Sequence, residues 1–88
     1  MSFRKPEVII VPGLPSGAKR KWLIEKEDLH VMVYLRFNKL DIHHYVKIHF
    51  PNDSSGLHDI VLKVKGASSL EEALKVALEE LKLWEEIL

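Results

Sequence analysis

His30-Val-Met-Val-Tyr-Leu-Arg-Phe-Asn-Lys-Leu-Asp-Ile-His-His-Tyr-Val-Lys-Ile-His-Phe50 alternates apolar and polar side chains on both sides of a polar break. On the first arm Val31, Val33, Leu35 and Phe37 alternate with His30, Met32, Tyr34 and Arg36. On the second arm Ile42, His44, Val46, Ile48 and Phe50 alternate with His43, Tyr45, Lys47 and His49. A period of two marks a half-buried strand, because successive side chains leave opposite faces. With Asn38-Lys-Leu-Asp41 as the turn, Phe37 faces Ile42 and the two apolar faces coincide. A slip of one residue would turn every side chain over, so both arms support one register.

Working outward, Pro51-Asn-Asp-Ser-Ser-Gly56 reads as a looser turn and His58–Lys65 as a further strand, with Ile60, Leu62 and Val64 inward and Val61, Lys63 and Lys65 outward. Ser69–Leu88 then changes period. Leu70, Ala73, Leu74, Ala77, Leu78, Leu81, Trp84 and Leu88 recur at helical spacing, opposite Glu71, Glu72, Lys75, Glu79, Lys82, Glu85 and Glu86. No Gly or Pro interrupts the run, so one helix is expected to reach Leu88. Ser69 with Glu72 has the spacing of a capping box, placing the start at Ser68 or Ser69. Val76, Leu83 and Ile87 form a second apolar line, which widens the nonpolar arc beyond what one sheet covers. Either the apolar run Val8-Ile-Ile-Val11 or a second chain would cover it.

Before the hairpin, Met1–Pro6 reads as a flexible basic tail and Glu7-Val-Ile-Ile-Val11 as a short strand stopped by Pro12. Residues 12–18 form a Pro/Gly-rich linker, Lys19–Glu25 a second strand, and Glu25-Lys-Glu-Asp28 a polar turn. The fold class expected is α+β: a two-layer domain spanning residues 1–88, with four to five antiparallel strands and one C-terminal amphipathic helix packed on one face.

Composition narrows the function. The chain has 88 residues, 47% hydrophobic and 30% charged, which suits a single folded domain with a modest core. Without cysteine it can hold no disulfide, thiolate zinc site or cysteine nucleophile. No apolar run is long enough to span a bilayer, and the N-terminus does not read as a secretory signal, so a cytoplasmic, non-membrane protein is expected. The net charge is zero, yet residues 1–22 carry five basic residues against one acidic, and residues 67–88 two against six. One end is basic and the helix acidic, a polarity suited to presenting cations to phosphate.

The face opposite the helix is the principal candidate site. Tyr34, Arg36, Tyr45, Lys47, His49, Lys63 and Lys65 share it, with Lys19, Arg20 and Lys21 as a basic rim. Cations that neutralise phosphate, interleaved with rings on which unpaired bases stack, suit single-stranded DNA or RNA. The opposing reading is that every half-buried strand needs a polar face, and that tyrosine pairs stabilise sheets by themselves. Gly13-Leu-Pro-Ser-Gly17-Ala-Lys19 lacks the glycine spacing and the Lys-Ser/Thr of a phosphate loop. His30 and His49 converge across the hairpin, but two imidazoles do not make a metal site, and His44 and His58 should point inward. Ser54, Ser55, His58 and Asp59 do not line up as nucleophile, base and orienter, so no enzyme, no cofactor and no metal is expected.

Gly66, Ser69, Glu71-Glu72-Ala73, Ala77 and Leu81 resemble the Gly-x-Thr-x-Glu-Glu-Ala segment that opens the helix of HicB-type antitoxin domains. Phe50-Pro51 is similar to the Phe-Pro those domains carry before their final strand. The resemblance implies a sheet-and-helix module that binds a partner protein. Two expectations therefore stand side by side. One is a non-enzymatic module, expected as a homodimer, that binds single-stranded nucleic acid. The other is an inhibitor-like or self-dimerising protein-interaction module that uses Val76, Leu83 and Ile87 or a sheet edge.

Overall fold

The computed structural model describes residues 6–38, 41–51 and 59–83. Five strands, β1 (Glu7–Val11), β2 (Lys19–Glu25), β3 (His30–Asn38), β4 (Asp41–His49) and β5 (Ile60–Lys65), precede one helix, α1 (Leu70–Glu80). All neighbours are antiparallel, in the order β1-β5-β4-β3-β2. The molecule measures 44 × 29 × 19 Å, and the last figure is the thickness of one sheet layer plus one helix layer. It is the two-layer α+β fold expected from the sequence.

The β3–β4 ladder has the register that the alternation predicts, with Phe37 opposite Ile42, Tyr34 opposite Tyr45 and His30 opposite His49. Pairing extends one step further, to Asn38 and Asp41, so the tight end of the hairpin is shorter than the four residues expected. Leu62 and Val64 continue the same face on β5, opposite Val46 and His44. Against this face α1 sets Ala73, Leu74, Ala77 and Leu78. Together with Leu29, Val31, Val33, Val46, Ile48, Leu62 and Val64 they form the core. Each large aliphatic side chain so buried contributes about 1.5–3 kcal/mol. The helix touches β4, β5, β1 and β3, but not β2.

On β2 a bulge between Arg20 and Trp22 lets two residues oppose one of β3. Arg20 stays on the face opposite the helix, beside Tyr34, while Trp22 is turned to the helix side beside Val33. Between β2 and β3, Lys26 and Leu29 exchange backbone hydrogen bonds across Glu27-Asp28.

The route from β1 to β2 is decided by length. The two strands are opposite edges, four inter-strand spacings or about 19 Å apart. Through the ladders, Val11 is level with Met32 and Lys19 pairs with Leu35, which adds about 10 Å along the strands. Residues 12–18 reach at most about 28 Å and spend part of that in a turn closed by Ala18 N–H donating to the Pro15 carbonyl, 3.3 Å. Gly17 takes φ +87° at the third position of this turn, as a type II turn requires. Little slack remains, and α1 occupies one face, so the connection runs diagonally over the other. The straight line between its ends passes over Val61, Tyr45 and Tyr34. Val61 and Tyr45 are both buried, and Leu14, Pro15 and Ala18 of the connection are half-buried.

The helix is shorter than expected. Ser69 is the N-cap, its hydroxyl accepting from Glu72 N–H at 3.1 Å, and the Glu72 carboxylate reaches back to Ser68 N–H at 2.8 Å. At the other end Lys82 adopts φ +60°, its N–H donating to the Glu79 carbonyl and Leu83 N–H to that of Leu78. This is a Schellman motif with lysine where glycine is usual. It turns Leu83 back onto the core cluster instead of along the helix. Val76 packs against the same cluster, as does Val8 of β1, so the apolar N-terminal strand helps cover the helix. Two residues of the second apolar line, Val76 and Leu83, are thus partly buried against the core. Ile87, like residues 1–5 of the basic tail and His58, lies outside the described residues.

Candidate nucleic-acid interface

Alternation places Arg20, Tyr34, Arg36, Lys47, His49 and Lys63 on the face opposite α1, with Lys65 at the end of β5. Lys19 departs from the set: it pairs with Leu35 and therefore shares the helix face. Lys21 sits in the bulge and is exposed.

The crossing connection divides this face into two regions. Towards β2 is a hollow of about 380 Å³ lined by Arg20, Leu23, Glu25, His30, Met32, Lys47, His49 and Asp59. Inside it Asp59 lies 2.6 Å from His49 Nδ1 and 3.2 Å from Lys47 Nζ. Those two partners hold the Asp59 carboxyl below its ordinary value, the hydrogen bond from His49 contributing most. The rings of His30 and His49 are 5.7 Å apart and tilted by 47°. Among the described residues no group of three or more His, Asp or Glu is arranged to share a metal ion. Two of the residues expected to meet nucleic acid, Lys47 and His49, are therefore already engaged by a carboxylate. Asp59 was not among the residues expected on this face, although the strand register carries it there. Ile60 pairs with Ile48, so the residue before it falls opposite His49.

Beyond the connection, Arg36, His43, Lys63 and Lys65 gather where β3, β4 and β5 end, beside a second hollow of about 350 Å³ lined by Ile42, His43, Lys63, Val64, Lys65 and Gly66. Among the described residues, no carboxylate is within ion-pair distance of Arg36, Lys63, Lys65 or Arg20. Tyr34 is half-buried, with its hydroxyl 3.8 Å from Met32 Sδ. Tyr45 is only 4% exposed. A base cannot stack on it, so the expected tyrosine pair is reduced to one ring.

On the opposite side of the molecule, Glu71, Glu79 and Glu80 of α1 are exposed and Glu72 half-exposed. His44, buried at 8% exposure beneath the start of α1, is held below its ordinary value by desolvation; Glu72 pulls in the opposite direction and His43 adds to the lowering. It acts as a neutral core side chain.

No family model, curated protein or solved structure matches this chain. The likeness of residues 66–81 to the antitoxin segment therefore has no family match behind it. No described helix is long and apolar enough to cross a membrane.

Proposed function

We propose that the chain is a non-enzymatic binding module for single-stranded nucleic acid. The observation that carries this reading is the separation of charge. Arg20, Arg36, Lys63 and Lys65 are on one side, free of ion pairs among the described residues. The Glu-rich surface of α1 is on the other, across a molecule 19 Å thick. A polyanion approaching such a molecule is drawn to one side and repelled from the other. Phosphates meet Arg36, Lys63 and Lys65, and a base stacks on Tyr34. The buried Tyr45 and the neutralised Lys47 lower the affinity expected of this face and confine the contact to a few nucleotides.

Fluorescence anisotropy of labelled single-stranded RNA and DNA oligomers, titrated at low and near-physiological salt, tests the reading. Binding should weaken steeply with salt. Arg36→Glu with Lys63→Glu should abolish it, and Glu79→Lys on α1 should not. No binding at low salt would discard the proposal and leave a protein partner as the reading to pursue.

A further inference from the structure

The two edges of the sheet are protected unequally. Strands at an edge expose unpaired backbone groups, and soluble proteins blunt them with charge, bulges or cover. β2 carries Lys19, Arg20 and Lys21 in succession together with a bulge. β1 has none of these devices between its ends: Val8, Ile9, Ile10 and Val11 are consecutive, uncharged and in regular register with β5. Ile10 pairs with the fully buried Leu62, yet it is 70% exposed on the helix side. An edge of this composition is a template for another strand.

The geometry points to a second copy of this chain as the occupant: we propose that two molecules join antiparallel through β1 across a two-fold axis at Ile9. The strand is complementary to itself in that register. Glu7 faces Val11 of the second copy, Val8 faces Ile10, and Ile9 faces Ile9. No charge meets its own sign, whereas a pivot at Glu7 would oppose two carboxylates. Pro6 and Pro12 bracket the strand, and neither has an N–H to extend a ladder, so pairing is limited to Glu7–Val11 and the register is defined. Val8 packs against the core and α1 touches β1, so each exposed Ile10 would come to rest beside the other molecule's Val8, along its helix. The result is a ten-stranded sheet with both helices on one face and both basic faces on the other. The zero net charge of the chain sets no long-range repulsion against this association.

This inference does not depend on nucleic-acid binding, and its test is separate. Sedimentation equilibrium should give twice the 10.2 kDa of the chain. Ile10→Lys places a charge at an exposed edge position, so it should leave the fold intact by circular dichroism and weaken dimerisation by at least about tenfold. The chain has no cysteine, so Ile9→Cys introduces one thiol per molecule. Facing residues of an antiparallel pair have Cα atoms about 4.5–5.5 Å apart, within disulfide reach, so mild oxidation should link Ile9→Cys into a covalent dimer far faster than Trp22→Cys on β2. A wild-type mass of 10.2 kDa at the highest soluble concentration would overturn the proposal, as would cross-linking of Trp22→Cys in preference to Ile9→Cys.

Discussion

Tyr45 lies directly opposite Tyr34 across the β3–β4 ladder, yet Tyr45 is buried and Tyr34 only half-buried. The straight path of the β1–β2 connection passes over both positions, and the one on the central strand, Tyr45 of β4, is the one that is buried. The two tyrosines should therefore fail differently. Tyr45→Ala should lose about 3 kcal/mol of stability in urea denaturation, as for a large buried ring. Tyr34→Ala should lose no more than about 1 kcal/mol, while weakening oligonucleotide binding by the ~1–3 kcal/mol of one stacked base. Equal stability losses would mean that the connection does not cover Tyr45.

Asp59 engages both Lys47 and His49 in the hollow beside β2. Asp59→Asn removes the negative charge and releases Lys47 for phosphate. RNA binding at low salt should tighten several-fold, and the plot of log affinity against log salt should steepen by about one phosphate contact. An unchanged slope would show that the hollow takes no part in binding.

Lys82 holds a left-handed backbone conformation at the end of α1, which costs a non-glycine residue about 1 kcal/mol. Lys82→Gly should raise stability by ~0.5–1 kcal/mol, read from the urea midpoint at constant m. A loss of stability would indicate that the helix does not end at this turn.

His44 titrates from a desolvated position under the first turn of α1. Its folded value is lowered, so around and below the ordinary value of about 6.5 the unfolded chain binds more protons than the folded one. Stability is therefore unaffected well above pH 7 and falls as the pH drops through the unfolded value. His44→Gln should flatten that fall between about pH 6.5 and 5 in chemical denaturation. The lowered value of Asp59 has a different window. Its stabilising contribution is present above the ordinary carboxylate range and disappears only as the pH falls through its depressed folded value. A wild-type profile flat from pH 7 to 5 would show that His44 is hydrated.

Ser69 caps α1 through the amide of Glu72. Ser69→Ala should cost about 1 kcal/mol, and Glu72→Ala a further few tenths through the lost bond to Ser68 N–H. Both are checked by thermal melts, and both should leave nucleic-acid binding unchanged, because α1 faces away from the basic side.

Local pattern determined a large part of this protein. Alternation along His30–Phe50 specified the central register pair by pair, and the same count would have found Asp59 beside His49. Ser69 and Glu72 marked the helix start, because a cap is made by neighbours in sequence. Tertiary structure decided what depends on distance between remote segments. That β1 is the edge beyond β5, and β2 the opposite edge, is not written in either strand. The routing of residues 12–18 over Tyr45 follows from that order. The bulge at Lys21 turns Trp22 to the helix side, and the same alternation separates Lys19 from Arg20. The helix stops at Glu80 although Leu81, Lys82 and Leu83 are all good helix formers, and the left-handed turn at Lys82 brings Leu83 onto the core. Propensity acts residue by residue, whereas burial depends on what the rest of the chain has left uncovered.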